Sequence, residues 1–145
     1  MGMRGIGSTP KPSSNERRAK SPDAHPWDKP GLSRTERVIK FVETLPVTAG
    51  PLAGTTLELR PWQKRFIGAI YRTDKGGNRL VRTAVLSVAR KNGKTQLAAA
   101  LCLCALSGPE AEPRGECYSV ACTRFQAGRV FAEMVAIITR TPWLN

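Results

Sequence analysis

Residues Leu80–Thr95 read LVRTAVLSVARKNGKT. Leu80 to Ala89 is short, β-branched and apolar toward its C-terminal end, as a buried parallel strand should be. A polar loop follows, Arg90-Lys91-Asn92-Gly93, and a helix is expected from Lys94 through Leu106, ended by Gly108-Pro109. Downstream, a second strand fits Glu116 to Cys122 (ECYSVAC). A last helix fits Phe125 to Thr139, with Phe131, Met134, Val135 and Ile138 on one face. The order strand–loop–helix–strand–helix implies parallel strands joined by right-handed crossovers, an α/β arrangement.

Upstream, Ser33-Arg34-Thr35-Glu36 reads as a capping box. The helix it opens is expected to run to about Leu45, with Val38, Ile39, Phe41, Val42 and Leu45 toward the core and Pro46 stopping it. Residues 46–56 form a loop, Leu57–Leu59 a short extended piece, and Pro61 suits the first turn of a further helix carrying Trp62, Phe66, Ile67 and Ile70. Thr73–Asn78 (TDKGGN) is a turn. Residues 1–31, rich in Ser, Pro, Lys and Arg, are expected to be a disordered basic tail, with 32–145 the folded part. Trp27 is the one tail residue with a claim to dock on the body; a solvated position is the other reading.

The net charge of +12 is unevenly spread. Residues 60–94 hold ten Lys/Arg against Asp74 alone, whereas from Thr95 onward four bases face four acids. The local positive field points to a polyanion, either nucleotide phosphates or nucleic acid, with a merely solvated basic face as the plainer reading. Cys102, Cys104, Cys117 and Cys122 form no CxxC pair, and the single histidine, His25, lies far away in the tail, so zinc ligation is not expected. Cys102 and Cys104 read as small buried hydrophobes in a reducing compartment. The longest apolar stretch, Leu97–Leu106, is too short to span a bilayer, and the N-terminus lacks the apolar centre of a signal peptide. A soluble intracellular chain without a membrane partner is the expectation.

The loop carries the chemistry. The phosphate-binding pattern GxxxxGK[ST] is met in its second half by Gly93, Lys94 and Thr95, while Val88 stands where the first glycine would be. Between strand and helix, backbone N–H groups of Arg90, Lys91, Asn92 and Gly93 would face phosphate. Gly93 supplies a positive φ or a close approach. The Lys94 ammonium would reach the β and γ phosphates of ATP, and the Thr95 hydroxyl would complete a Mg²⁺ shell. Arg90, Lys91 and Lys94 repel one another until an anion joins them. The expected fold class is therefore α/β, P-loop NTPase-like, with an incomplete parallel sheet, flanking helices and the N-terminal tail. A surface turn with scattered charges is the bland alternative.

Ala89-Arg90-Lys91-Asn92-Gly93-Lys94-Thr95 resembles the deviant Walker A of tailed-phage terminase large subunits, which lacks the first glycine and carries a basic residue in the loop. Leu59-Arg60-Pro61-Trp62-Gln63 looks like the adenine-recognition segment of that family, and Tyr118 to Ala127 looks like its second strand running into a helix through Gln126-Ala127. The resemblance implies an ATP-driven motor that packages viral DNA. Lys94 and Gly93 would bind phosphate, Thr95 would hold Mg²⁺, and Gln63 would hydrogen-bond adenine. Arg90 would be an arginine finger supplied in cis, with Lys91 sharing that work. For Gln63 the plain alternative is a solvated helix residue; for Arg90 it is a salt bridge independent of phosphate. The implied partners are double-stranded DNA, the capsid portal and a small terminase subunit, in the cytoplasm of a bacterial host.

The family's Walker B strand, ending in Asp-Glu, is not found. The last aspartate is Asp74, and the later acids are Glu110, Glu112, Glu116 and Glu133, the last reading as an exposed mid-helix residue. Its coupling motif and C-terminal nuclease are also missing. Two strands leave unpaired edges, so the 145-residue chain is expected to be marginally stable and to hydrolyse ATP slowly or not at all. A remnant that binds nucleotide or DNA without turnover, and a helicase-like P-loop ATPase, are the competing functions; helicases normally keep the first glycine, which Val88 replaces.

Overall fold

The computed structural model describes residues 25–144, so any structure of the first 24 residues of the basic tail lies outside it. A 3-10 turn at Pro26–Asp28 is followed by α1 (Arg34–Val42), α2 (Pro61–Ile70), α3 (Lys94–Ser107) and α4 (Arg124–Ile138).

The helix starts follow from local chemistry. Ser33 caps α1 reciprocally with Glu36: the Glu36 N–H donates to Ser33 Oγ at 3.3 Å, and the Ser33 N–H donates to Glu36 Oε2 at 2.8 Å. Glu43 closes α1 short of Leu45. Pro61 opens α2, where its missing N–H costs nothing. Thr123 caps α4 by accepting from the Gln126 N–H at 3.2 Å.

α3 is apolar nearly all round, and such a helix must be covered on more than one side. α1 packs on it from one direction and α4 from another, while α2 packs on α1. The core is built from Val38, Phe41 and Val42 of α1, Leu45 beyond it, Ile67 of α2, Leu97, Leu103 and Cys104 of α3, and Ile137 of α4. Ala99 and Ala100 have no exposed surface, so neighbouring segments of the protein approach the α3 backbone closely. Trp27 is buried edge-on against Phe41, their ring centroids 5.0 Å apart, so this part of the tail docks on the body. Arg34 Nε reaches both Glu110 carboxylate oxygens, at 2.8 and 2.9 Å, and ties the start of α1 to the segment after α3.

The expected α/β class is overturned. Among the described residues there is no strand and no sheet; the only β pairing is two isolated antiparallel bridges, Pro46 with Thr56 and Thr73 with Arg79. The stretches expected as strands, 80–89 and 116–122, form no ladder with each other or with anything else. The reason is physical: a strand exists only through a neighbour that takes its N–H and C=O groups. Without one, Val85, Tyr118 and Val120 stand 89%, 81% and 90% exposed instead of buried. The apolar face expected on α4 is also shifted. Ile137 is its buried residue, Met134 and Ile138 are half-buried, and Phe131 and Val135 are exposed. No helix in the described residues is long and apolar enough to cross a membrane.

Candidate functional site

Gly93 is the residue that turns the polar loop into α3. It holds φ +72° at the helix N-cap, a left-handed conformation that an L side chain adopts only at a cost. Its carbonyl accepts the first helical bond, from the Leu97 N–H at 2.9 Å. Lys91, two residues earlier, also has a positive φ, of 64°, with a side chain to carry. The loop is thus folded back tightly where α3 begins, and the free N–H groups of that helix's first turn are the positive end of its dipole.

A cavity of about 270 Å³ opens at this point. Lys91, Gly93, Lys94 and Thr95 form one side; Thr48 and Glu133 face them from the 46–56 loop and from α4. The volume is near the lower limit for small-ligand sites, roughly 300–1,000 Å³, which suits a polyphosphate better than a whole nucleotide. The Gln96 amide anchors the floor by donating to the Pro46 carbonyl at 3.4 Å.

The Lys94 ammonium is folded back on the loop: it donates to the Val88 carbonyl at 2.9 Å and the Ala89 carbonyl at 2.7 Å. Asn92 stiffens the loop from outside, its Nδ2 donating to the Ala89 carbonyl at 3.3 Å.

Gln63 is not a solvated helix residue. It is buried, its Oε1 accepts from the Arg60 N–H at 2.8 Å, and a Cβ placed on Gly93 would stand 3.9 Å from its Nε2. Of the sequence-selected residues, Lys91, Gly93, Lys94 and Thr95 line the cavity, and Gln63 lies beside Gly93 but outside the lining. Arg90 does not join them: it is exposed and outside the cavity lining. It makes no ion pair among the described residues.

Glu133 is where the sequence misleads. It is half-buried, and it is the one acidic residue lining the cavity. Thr48 Oγ1 donates to its Oε1 at 2.5 Å. Nothing in the spacing of α4 marks it, because the residues that bury it lie about 85 and 40 positions upstream. Among the described residues there is no group of three or more His, Cys, Asp and Glu able to hold a metal ion by themselves. The Thr95 hydroxyl and Glu133 carboxylate are, however, hard oxygen donors of the kind Mg²⁺ shares with a bound phosphate.

Comparison with known proteins places the chain. Residues 61–144 match the family described as "Terminase large subunit, ATPase domain". The "Terminase, large subunit" of Enterobacteria phage HK97 is 41% identical over 115 residues, which cover 79% of this chain and 22% of that protein. The crystal structure of the HK97 bacteriophage large terminase superposes with a TM-score of 0.67 at 40% identity, over 78% of this chain and 22% of that one. The chain thus spans about a fifth of the length of the relative it matches.

Proposed function

Since the chain belongs to the terminase large subunit ATPase family, we propose that its Arg90–Thr95 loop is the nucleotide site of a DNA-packaging motor. The observation that carries this reading is the cavity at the start of α3, where Lys91, Lys94 and Thr95 converge on a glycine-turned helix N-terminus beside Gln63. An ATP triphosphate enters there. The Gly93 and Lys94 backbone N–H groups face it, and the Lys94 ammonium exchanges the Val88 and Ala89 carbonyls for β and γ phosphate oxygens. Thr95 offers its hydroxyl to Mg²⁺, which, when bound, neutralises phosphate charge. Gln63 recognises the adenine edge from beside Gly93. Arg90, exposed and without an ion-pair partner among the described residues, turns toward the γ-phosphate and stabilises the charge that develops there.

In the whole protein this site would drive double-stranded DNA into a capsid, working with a portal and a small subunit in the host cytoplasm. The exposed basic residues Arg65, Arg72, Lys75, Arg79 and Arg82 are available for phosphate-backbone contact. The test is titration of the chain with a fluorescent ATP analogue. Lys94→Ala is expected to weaken binding by at least tenfold while keeping the helical circular-dichroism spectrum of the wild type; equal binding by the variant would remove the site from this loop.

A further inference from the structure

Two of the four thiols are neighbours in space, although 15 positions separate them in sequence. The Cys117 Sγ donates to the Cys102 carbonyl at 3.9 Å, which sets it against the α3 backbone at that residue. The approach continues along the chain. A turn closed by the Gly115 N–H on the Glu112 carbonyl at 3.0 Å, with Arg114 at a φ of 60°, reverses the direction of the chain. A Cβ placed on Gly115 would stand 3.7 Å from the Ala105 carbonyl oxygen. Gly115 therefore lies against Ala105 and Cys117 against Cys102, so the segment runs back along α3. Cys102 and Ala105, three residues apart, share one face of that helix.

The pair is asymmetric. Cys117 is exposed and Cys102 is half-buried, whereas Cys104 is completely buried and Cys122 is exposed. Burial pushes the Cys102 thiol up to about 11, and Cys117, as a charge and as a hydrogen-bond partner, pushes it the same way. An exposed thiol meets an oxidant first, and a sheltered thiol in contact with it completes the bond.

We propose that Cys102 and Cys117 form a reversible disulfide site, in which Cys117 reacts with a small disulfide such as oxidised glutathione and Cys102 resolves the product. The Cys117 thiolate attacks one glutathione sulfur, the glutathione S–S bond breaks, and one glutathione leaves as a thiolate. Cys102 then gives up its proton and attacks the Cys117 sulfur, and the second glutathione leaves. The two protein sulfurs are oxidised, the glutathione disulfide is reduced to two thiols, and the two protons pass through solvent to the departing thiolates. In a reducing compartment the pair rests as thiols, and a rise in the disulfide fraction of the glutathione pool closes it. The bond pins the segment that leads to α4 onto α3, two helices that already pack on each other. Neither sulfur lines the cavity at the start of α3, so the site is independent of the nucleotide reading.

The experiment incubates the reduced 145-residue chain with excess oxidised glutathione, quenches with acid, and maps the sulfurs by peptide mass spectrometry without reduction. Wild type is expected to form the Cys102–Cys117 bond over every other pairing by about tenfold or more, since groups held together react faster than groups that must meet. Cys102→Ser is expected to stop at the glutathione mixed disulfide on Cys117. Cys117→Ser should form no bond to Cys102, and Cys122→Ser should behave as wild type. In concentrated urea the preference should vanish, a comparison that needs no variant to fold. The bond closes a loop in the unfolded chain, so the oxidised protein should unfold on the order of 10 °C above the reduced one, reversed by dithiothreitol. Native wild type that pairs its cysteines without preference overturns the proposal. So does wild type that accumulates the Cys117 mixed disulfide as Cys102→Ser does, or the same preference in urea, which would trace to sequence distance and not to the fold. An oxidised chain no more stable than the reduced one overturns it too, because the bond would then form only by distorting the native packing.

Discussion

Lys91 pays for its place in the loop with backbone strain, and the amount can be measured. Its φ of 64° lies in the left-handed region, where an L residue is less stable than in the right-handed one by about 1–2 kcal/mol. The side chain is exposed and has no ion-pair partner among the described residues, so no ion pair there offsets that cost. Strain of this kind persists where a function uses the geometry. Lys91→Gly removes the strain but adds conformational entropy to the unfolded chain, worth about 0.5–1 kcal/mol. The net expectation is a gain of about 0.5–1 kcal/mol, a rise of about 2–6 °C in Tm for a domain of this size. Lys91→Ala is the control: it keeps the strained backbone, loses the same charge, and should unfold within about 0.5 kcal/mol of wild type. The assay is urea and thermal unfolding of the three proteins followed by far-ultraviolet circular dichroism. Both variants should lose nucleotide affinity, through the missing charge, while only the glycine variant gains stability. If Lys91→Gly is no more stable than Lys91→Ala, the strain argument is refuted.

Two further perturbations follow from the core. Gly108, just past α3, has no room for a side chain: an added Cβ would stand 2.7 Å from Phe41 Cε2 and 2.8 Å from the Cys104 Cα. Phe41 is completely buried and the second obstacle is backbone, so Gly108→Ala should cost about 2–3 kcal/mol in urea unfolding, and a neutral result would mean the α1–α3 contact is looser than described. Burial pushes the Cys104 thiol up to about 12, with the Glu110 charge adding to the effect. The buried Cys104 thiol resists ionisation, so iodoacetamide should modify exposed Cys117 and Cys122 well before Cys104 in the native protein, as read by mass spectrometry. Tyr71 is also raised, chiefly by burial. For both groups the unfolded chain releases its proton first, so stability should fall as pH rises from about 9 toward 12; an unfolding midpoint that stays constant across that window would contradict the burial of these two groups.

Local signals carried much of the helical structure. Ser33 with Glu36, Pro61, and Gly93 followed by Lys94 mark three helix starts through bonds or backbone angles made within a few residues, and all three helices begin there. The same holds for the loop residues of the site, which are neighbours in sequence. Gln63 was legible only because its segment resembles one in a known family; its burial beside Gly93 is a long-range fact.

The two expected strands show the limit. Apolar, β-branched composition at 80–89 and 116–122 states a preference for extended backbone, but a strand also needs a partner, and composition does not name one. Both stretches lie outside any sheet among the described residues. Glu133 shows the same limit from the other side: on α4 alone it is a polar residue among apolar ones, and only the arrival of Thr48 and the loop before α3 makes it part of a cavity.

The sequence by itself determined where α1, α2 and α3 start, which residues make the loop before α3, and which family the chain resembles, because caps, turns and motifs act over short stretches of chain. Only the tertiary structure decided that Gln63 lies against Gly93, that Arg90 stands outside the cavity, that Trp27 docks on Phe41, and that an acid from α4 faces Lys94 and Thr95. Those relations depend on how helices pack across tens of residues, and packing is settled by which surfaces exclude water together.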